Sequence, residues 1–245
     1  MKSTVLFIIT AILLSSCQAF SPVIPQDTPI PIIVPTYDPN SAQETVPTAP
    51  AVDNGLSEPW PFPHSDDFSD PGSGWETGEW DVGFASYGDG YYQVKATSNG
   101  YFMWGEAYRE YGDVIIEVDA TQVSGPDNGN TGYGIMCRCV PSDGGCSGYV
   151  LQISADGWYT IQKSDGGDYY ELVEWAESSL INQGNATNHL RAECVGSALR
   201  LIVNGELLAE TQDSTYPNGD IGLVAVSFEE TPVMVHFDNL YLSEP

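Results

Sequence analysis

The chain has 245 residues, of which 42% are hydrophobic and 17% charged. Its charge is one-sided, with 34 Asp and Glu against 7 Lys and Arg and a formal net charge of −27. That balance excludes nucleic acid as a partner, because phosphates are held by clustered Lys and Arg. The hydrophobic content excludes a chain that is disordered throughout.

Residues 1–17 read as a processing segment. Lys2 supplies the positive charge, and Val5 to Leu14 form an apolar run broken only by Thr10. At about ten residues the run is too short to span a bilayer. It ends Leu14-Ser15-Ser16-Cys17, which resembles a bacterial lipobox. The resemblance implies that Cys17 is the lipid attachment site and the first mature residue. Two or three acyl chains give a stable anchor. The expected address is the bacterial cell envelope, as a membrane-anchored lipoprotein facing outward. No other long apolar run follows, so membrane contact is expected through the anchor alone.

Residues 18–63 read as a disordered linker. They hold 11 of the 17 prolines. Stretches such as Pro29-Ile30-Pro31-Ile32-Ile33-Val34-Pro35 can neither continue a helix nor complete a strand ladder. The linker's reach runs from roughly 40 Å as a coil to roughly 140 Å as polyproline II.

Residues 64–245 are one domain's length of chain. Strand signals begin at Tyr91–Thr97 and Tyr101–Gly105, then strengthen. Three alternating segments follow: Val114–Val123, Tyr133–Val140 and Tyr149–Ser154. Read as successive antiparallel strands, they put Ile116, Val118, Ile135, Cys137, Cys139, Leu151 and Ile153 on a core face. Glu117, Asp119, Arg138, Gln152 and Ser154 then share the water face. Further strands are expected at Trp158–Lys163, Tyr170–Val173, His189–Val195, Leu199–Val203, Glu206–Thr211, Ile221–Ser227 and Met234–Leu242. Hairpin turns are signalled by Asp89-Gly90, Asp156-Gly157, Asp165-Gly166-Gly167 and Asn204-Gly205. Only Trp175 to Asn182 has room for a short helix. The pattern predicts an all-β jelly-roll sandwich of two antiparallel sheets.

Four cysteines lie in the domain, an even number for an exported chain. Cys137 and Cys139 are two apart on one strand and badly placed to bridge each other. Cys139 and Cys146 bracket a turn, which leaves Cys137 to pair with Cys194. Loop-closure entropy gives about 4 kcal/mol for the long bridge and about 2.5 for the short one. Four thiolates on zinc are the competing reading.

The segments DDFSDPGSGW, GYGIMCR, YVLQISADGWYTIQK, HLRAECVG, LRLIVNGELLAE, GDIGLVAVSF and VHFDNLYL resemble, in order, concanavalin A-like lectin/glucanase domains. They are most similar to the 3-keto-disaccharide hydrolase type. Glucanases of that superfamily carry Glu-x-Asp-x-Glu, or one residue longer, with the last Glu as acid/base. This chain matches at Glu117 and Asp119 but has Thr121 and Gln122 where that Glu should stand. The 3-keto-disaccharide pattern is met by Asn130-Thr131-Gly132 ahead of Arg138, and by Gln152, while its acid is replaced by Val150. Many relatives hold a structural calcium with an Asp on the last strand. Asp238 resembles it, with Asp66-Asp67-Phe68 at the opposite end of the domain; no other cofactor is required.

The reading that results is a monomeric, non-catalytic module binding carbohydrate or another cell-surface ligand. Its expected contacts are Glu117, Asp119, Arg138 and Gln152, with Trp104 and Trp158 stacking on sugar. A glycan-active hydrolase of the 3-keto-disaccharide type is the alternative.

Overall fold

The computed structural model describes residues 56–142 and 145–245. The stretches read as signal segment and linker, with Cys17, lie outside the described residues up to residue 55. Among the described residues fifteen strands follow one another. The first five are β1 (His64–Asp66), β2 (Gly78–Trp80), β3 (Gly83–Tyr87), β4 (Tyr92–Ala96) and β5 (Phe102–Glu106). Next come β6 (Val114–Ser124), β7 (Thr131–Ser142), β8 (Gly145–Ile153), β9 (Trp158–Asp165) and β10 (Asp168–Glu177). The last are β11 (Thr187–Val195), β12 (Ala198–Val203), β13 (Glu206–Gln212), β14 (Asp220–Ser227) and β15 (Val233–Ser243).

They form two antiparallel sheets, a jelly-roll sandwich. One runs β13-β12-β11-β6-β15-β4-β3-β2, with β1 on β15; the other runs β10-β9-β8-β7-β14-β5. The inner faces meet in one core of alternating residues: Val114, Ile116 and Val118 from β6, Ile135 and Cys137 from β7, Leu151 and Ile153 from β8. Period-2 burial along β4, β6, β11 and β12 follows from this packing. The Asn204-Gly205 turn has both residues at positive φ, 53° and 89°, as a two-residue hairpin between right-twisted strands requires.

Three expectations are corrected. First, β6 and β7 follow each other in the chain but belong to different sheets, so the three segments 114–154 do not share one water face. Second, no helix forms at 175–182. Trp175 continues β10, whose end pairs Glu177 with Trp158; the ladder with β9 outweighs local helix preference. Third, part of the stretch read as linker is folded. Ser57 bridges to Arg109, and the Ser57 amide donates to the Tyr108 carbonyl at 2.9 Å. Trp60 stacks on His64 with centroids 4.4 Å apart. Its rings give this Pro-rich strap something to bury.

A bulge in β7 explains where its side chains go. Cys137 pairs with Tyr149 but Val140 with Ser147, so one extra residue is inserted. Arg138 takes it up at φ 56°. Beyond the bulge the alternation is displaced. Cys137 stays in the core and is bonded to Cys194, tying the two sheets together. Cys139 turns to the outer face and is bonded to Cys146, not to the core face the alternation implied. With all four domain cysteines in disulfides, no thiolate is left for zinc.

Candidate functional site

The six-stranded sheet curls until its edges meet. β5 and β10 are opposite edges, yet Phe102 of β5 stacks on Tyr169 of β10 with centroids 4.2 Å apart and planes 14° from parallel. Beneath this lid, Met136, Val150 and Val224 form a second small core with the Cys139–Cys146 bridge and Trp104. The outer face of this sheet is covered along its middle, and cavities open at its ends.

One end holds the cavity with the character of a binding site. Its volume is about 430 Å³, and five adjacent strands contribute to it. Trp158 starts β9, Trp175 lies on β10, and Phe228 follows β14; the three half-buried rings form the walls. Trp175 meets Phe228 edge to face at 6.0 Å. Asn130 and Thr131 at the start of β7, with Ser154 and Asp156 in the β8–β9 turn, supply polar groups. The turn is tied internally: the Ser154 hydroxyl donates to Asp156 Oδ1, and the Trp158 amide donates to Ser154 Oγ at 2.9 Å. Asn130 Nδ2 and Asn128 Nδ2 both donate to Glu229 Oε1 at 2.8 Å. Those two bonds, Asn130's first, hold the Glu229 carboxyl below its ordinary pKa. Aromatic walls with a few oriented polar groups are the general form of a small-ligand site.

The residues expected from sequence are dispersed. Trp158 lines this cavity. Trp104 stands at the far end of the sheet, near Gly145 at the start of β8. Gln152 is wholly buried; its Nε2 donates to Gln162 Oε1 at 2.9 Å. Its Oε1, which has no protein partner, lies over Gly132.

Arg138 is only 1% exposed and cannot contact a sugar. The bulge swings it inward, where all five of its N–H groups are used. Nε donates to the Gly112 carbonyl at 2.9 Å. Nη1 donates to the carbonyls of Gly196 at 2.7 Å and Tyr216 at 3.4 Å. Nη2 donates to Asp113 Oδ1 at 3.0 Å and the Cys194 carbonyl at 3.1 Å.

Glu117 and Asp119 face outward on the other sheet, inside a network of ion pairs. His189 Nε2 lies 3.1 Å from Glu117 Oε2, and its Nδ1 lies 2.8 Å from Asp119 Oδ1. Arg191 Nη1 donates to Glu117 Oε1 at 2.7 Å and its Nη2 to Glu193 Oε1 at 2.7 Å. These carboxylates are occupied by their neighbours. Partial burial pulls the His189 pKa down, but its bonds to Asp119 and Glu117 outweigh that and hold it above its ordinary value.

Asp238 pairs with Asp119 across β15 and β6. Asp238 Oδ1 accepts the Asn239 amide at 2.7 Å, and Asp119 Oδ2 accepts Asn239 Nδ2 at 3.0 Å. Asp66, on the inner side, accepts the Phe68 amide at 2.8 Å. Asp66 Oδ2 is buried without a protein partner; calcium takes six to eight oxygens, carbonyls and water among them, and the carboxylates of Asp66 and Asp238 would supply part of that shell.

A second cavity, of about 290 Å³, lies at the far end of the sheet. Glu76, Trp80, Trp104 and Glu106 line it. Trp104 Nε1 donates to Glu106 Oε1 at 3.0 Å, and the Tyr108 hydroxyl donates to Glu76 Oε1. Burial raises the Glu106 pKa, the Trp104 bond lowers it in part, and the Glu76 charge raises it further.

Sequence reasoning missed Trp175, Phe228, Asn130 and Asp156 as one site. The available signal was the Asp156-Gly157 turn, which carries an acid beside Trp158.

Comparisons with known proteins place this geometry. The fold is shared with the carbohydrate-binding module CBM66 of Bacillus subtilis, at TM-score 0.52 and 19% identity, covering 70% of this chain and 96% of that one. It is shared with a β-glucanase of Bacillus licheniformis at TM-score 0.57 and 13% identity, covering 75% and 98%. A β-1,3-1,4-glucanase from a mouse hindgut metagenome aligns at TM-score 0.54 and 10% identity, covering 75% and 99%. At these identities the likeness concerns fold alone. No curated protein matches by sequence. The profile of the 3-keto-alpha-glucoside-1,2-lyase-like domain matches residues 65–243, and the chain belongs to that family.

Proposed function

We propose that the domain binds carbohydrate in the aromatic end cavity, as a non-catalytic module displayed on the cell envelope by a lipid on Cys17. The observation that carries this is the set of three rings, Trp158, Trp175 and Phe228, around Asn130, Ser154 and Asp156. Indole faces take the apolar face of a sugar ring, and the polar groups take its hydroxyls. Among the described residues Asp156 is the one carboxylate lining the cavity, whereas glycosidases of the common kind work with two. The sandwich it shares with CBM66 is compatible with this role. A glycan array with the full chain is expected to give binding that Trp158→Ala and Trp175→Ala each weaken by about tenfold or more. Binding unchanged in both folded variants would overturn the assignment.

A second reading is favoured by the family match and by the far-end cavity. There Glu106, its pKa raised by burial, sits with Glu76 in a cavity that two tryptophans line, as an acid/base pair would. Release of a 3-keto sugar or a reducing sugar from a glycoside panel would support it, and its absence would leave the binding module.

A further inference from the structure

We propose that the aromatic cavity is one of two adjoining subsites, so that the module selects neutral oligosaccharides over single sugars. This rests on the binding reading given above. A second depression, of about 620 Å³, adjoins the first, and Asp156 lines both. Its other walls come from two loops. Gln122 and Asn128 stand on the side of the loop joining β6 to β7, and Gln183 and Asn185 on the loop joining β10 to β11.

The loops are held against the β8–β9 turn that separates the subsites. The Gly184 amide donates to the Ala155 carbonyl at 2.8 Å. On the other side the approach is too close for a side chain: a Cβ at Gly129 would lie 2.9 Å from the Asp156 amide nitrogen. The subsites are also linked through Glu229, which receives Asn130 from the first and Asn128 from the second.

Their chemistries are complementary. The first subsite offers rings and suits stacking. The second offers the exposed side-chain amides of Gln183 and Asn185, each with donors and an acceptor, and suits sugar hydroxyls, while Gln122 and Asn128 already bond Thr131, Asn130 and Glu229. Neither is lined by Lys or Arg, while Asp127 and Asp156 are present. A uronic acid or sulfated sugar would meet like charge there without a partner. One ring stacked between Trp158 and Trp175 would pass its neighbour over Asp156 into the amide subsite.

The test is calorimetric titration of the full chain with glucose and with α- and β-linked glucose oligomers of two, three and four units. Affinity is expected to rise about tenfold from one unit to two in the preferred linkage. Gln183 and Asn185 are exposed loop residues. The double variant Gln183→Ala/Asn185→Ala is therefore expected to keep the wild-type Tm and glucose affinity and to lose the gain from chain length. A gain that survives the double variant, or glucose binding as tight as the oligomers, would overturn the two-subsite proposal while leaving the aromatic cavity intact. Failure of every gluco-sugar to bind would overturn both.

Discussion

The two outer faces of the sandwich teach opposite lessons. On the nine-stranded sheet, Glu117, Asp119, His189, Arg191 and Glu193 stand in view and look like a polar binding surface. They spend their charges on one another. On the six-stranded sheet the outer face carries Met136, Val150 and Val224 and looks like core. It curls over itself, and its open ends hold the cavities. Charged alternation marks solvent, not recognition. Apolar residues on both faces of a strand mark a sheet covered on both sides, here by its own curl.

The largest effect separating the faces is expected at Arg138, which lies inside the fold. Arg138→Ala would strip partners from the carbonyls of Gly112, Cys194 and Gly196 and from Asp113. Losing one side of such a buried cluster costs on the order of 3 kcal/mol, readable in chemical denaturation. A loss below about 1 kcal/mol would mean that water replaces the guanidinium and that this end of the sandwich is open.

A smaller, pH-dependent effect is expected on the charged face. The folded-state pKa of His189 is raised above its ordinary value. Its contribution is therefore fully present below the unfolded value of about 6.5 and is lost as pH rises through the folded value. Because the imidazole is 45% exposed, solvent screening keeps this below about 1 kcal/mol. The stability gap between the parent and His189→Gln should narrow from pH 5 to pH 8. A gap independent of pH would show that His189 is not charged in its network.

Much of the fold was legible. Turn chemistry placed the hairpins, alternation placed the long strands, and the cysteine spacing gave both bridges. What alternation cannot carry is sheet membership. β6 and β7 are neighbours in sequence but lie across the core from each other, so Glu117 and Gln152 never share a face. One inserted residue at Arg138 reversed the outlook of the side chains beyond it. The curl itself left a trace in glycine: a Cβ at Gly134 would lie 2.2 Å from the Leu151 carbonyl oxygen, so β8 can close in only because no side chain is there. The site was less legible, because its walls come from strand ends far apart in the chain. Trp158 could be named from its turn, but Trp175 and Phe228 join it only through tertiary pairing.

The claim that the end cavity, and not either broad face, receives the sugar is tested most directly by the indole N–H resonances of the six tryptophans. In a titration of the isotopically labelled full chain with the gluco-oligosaccharide of highest calorimetric affinity, the signals of Trp158 and Trp175 should move and saturate together. Those of Trp80 and Trp104, at the far end, should stay in place. Movement of Trp80 and Trp104 with Trp158 and Trp175 unchanged would contradict the account and put the ligand beside Glu76 and Glu106.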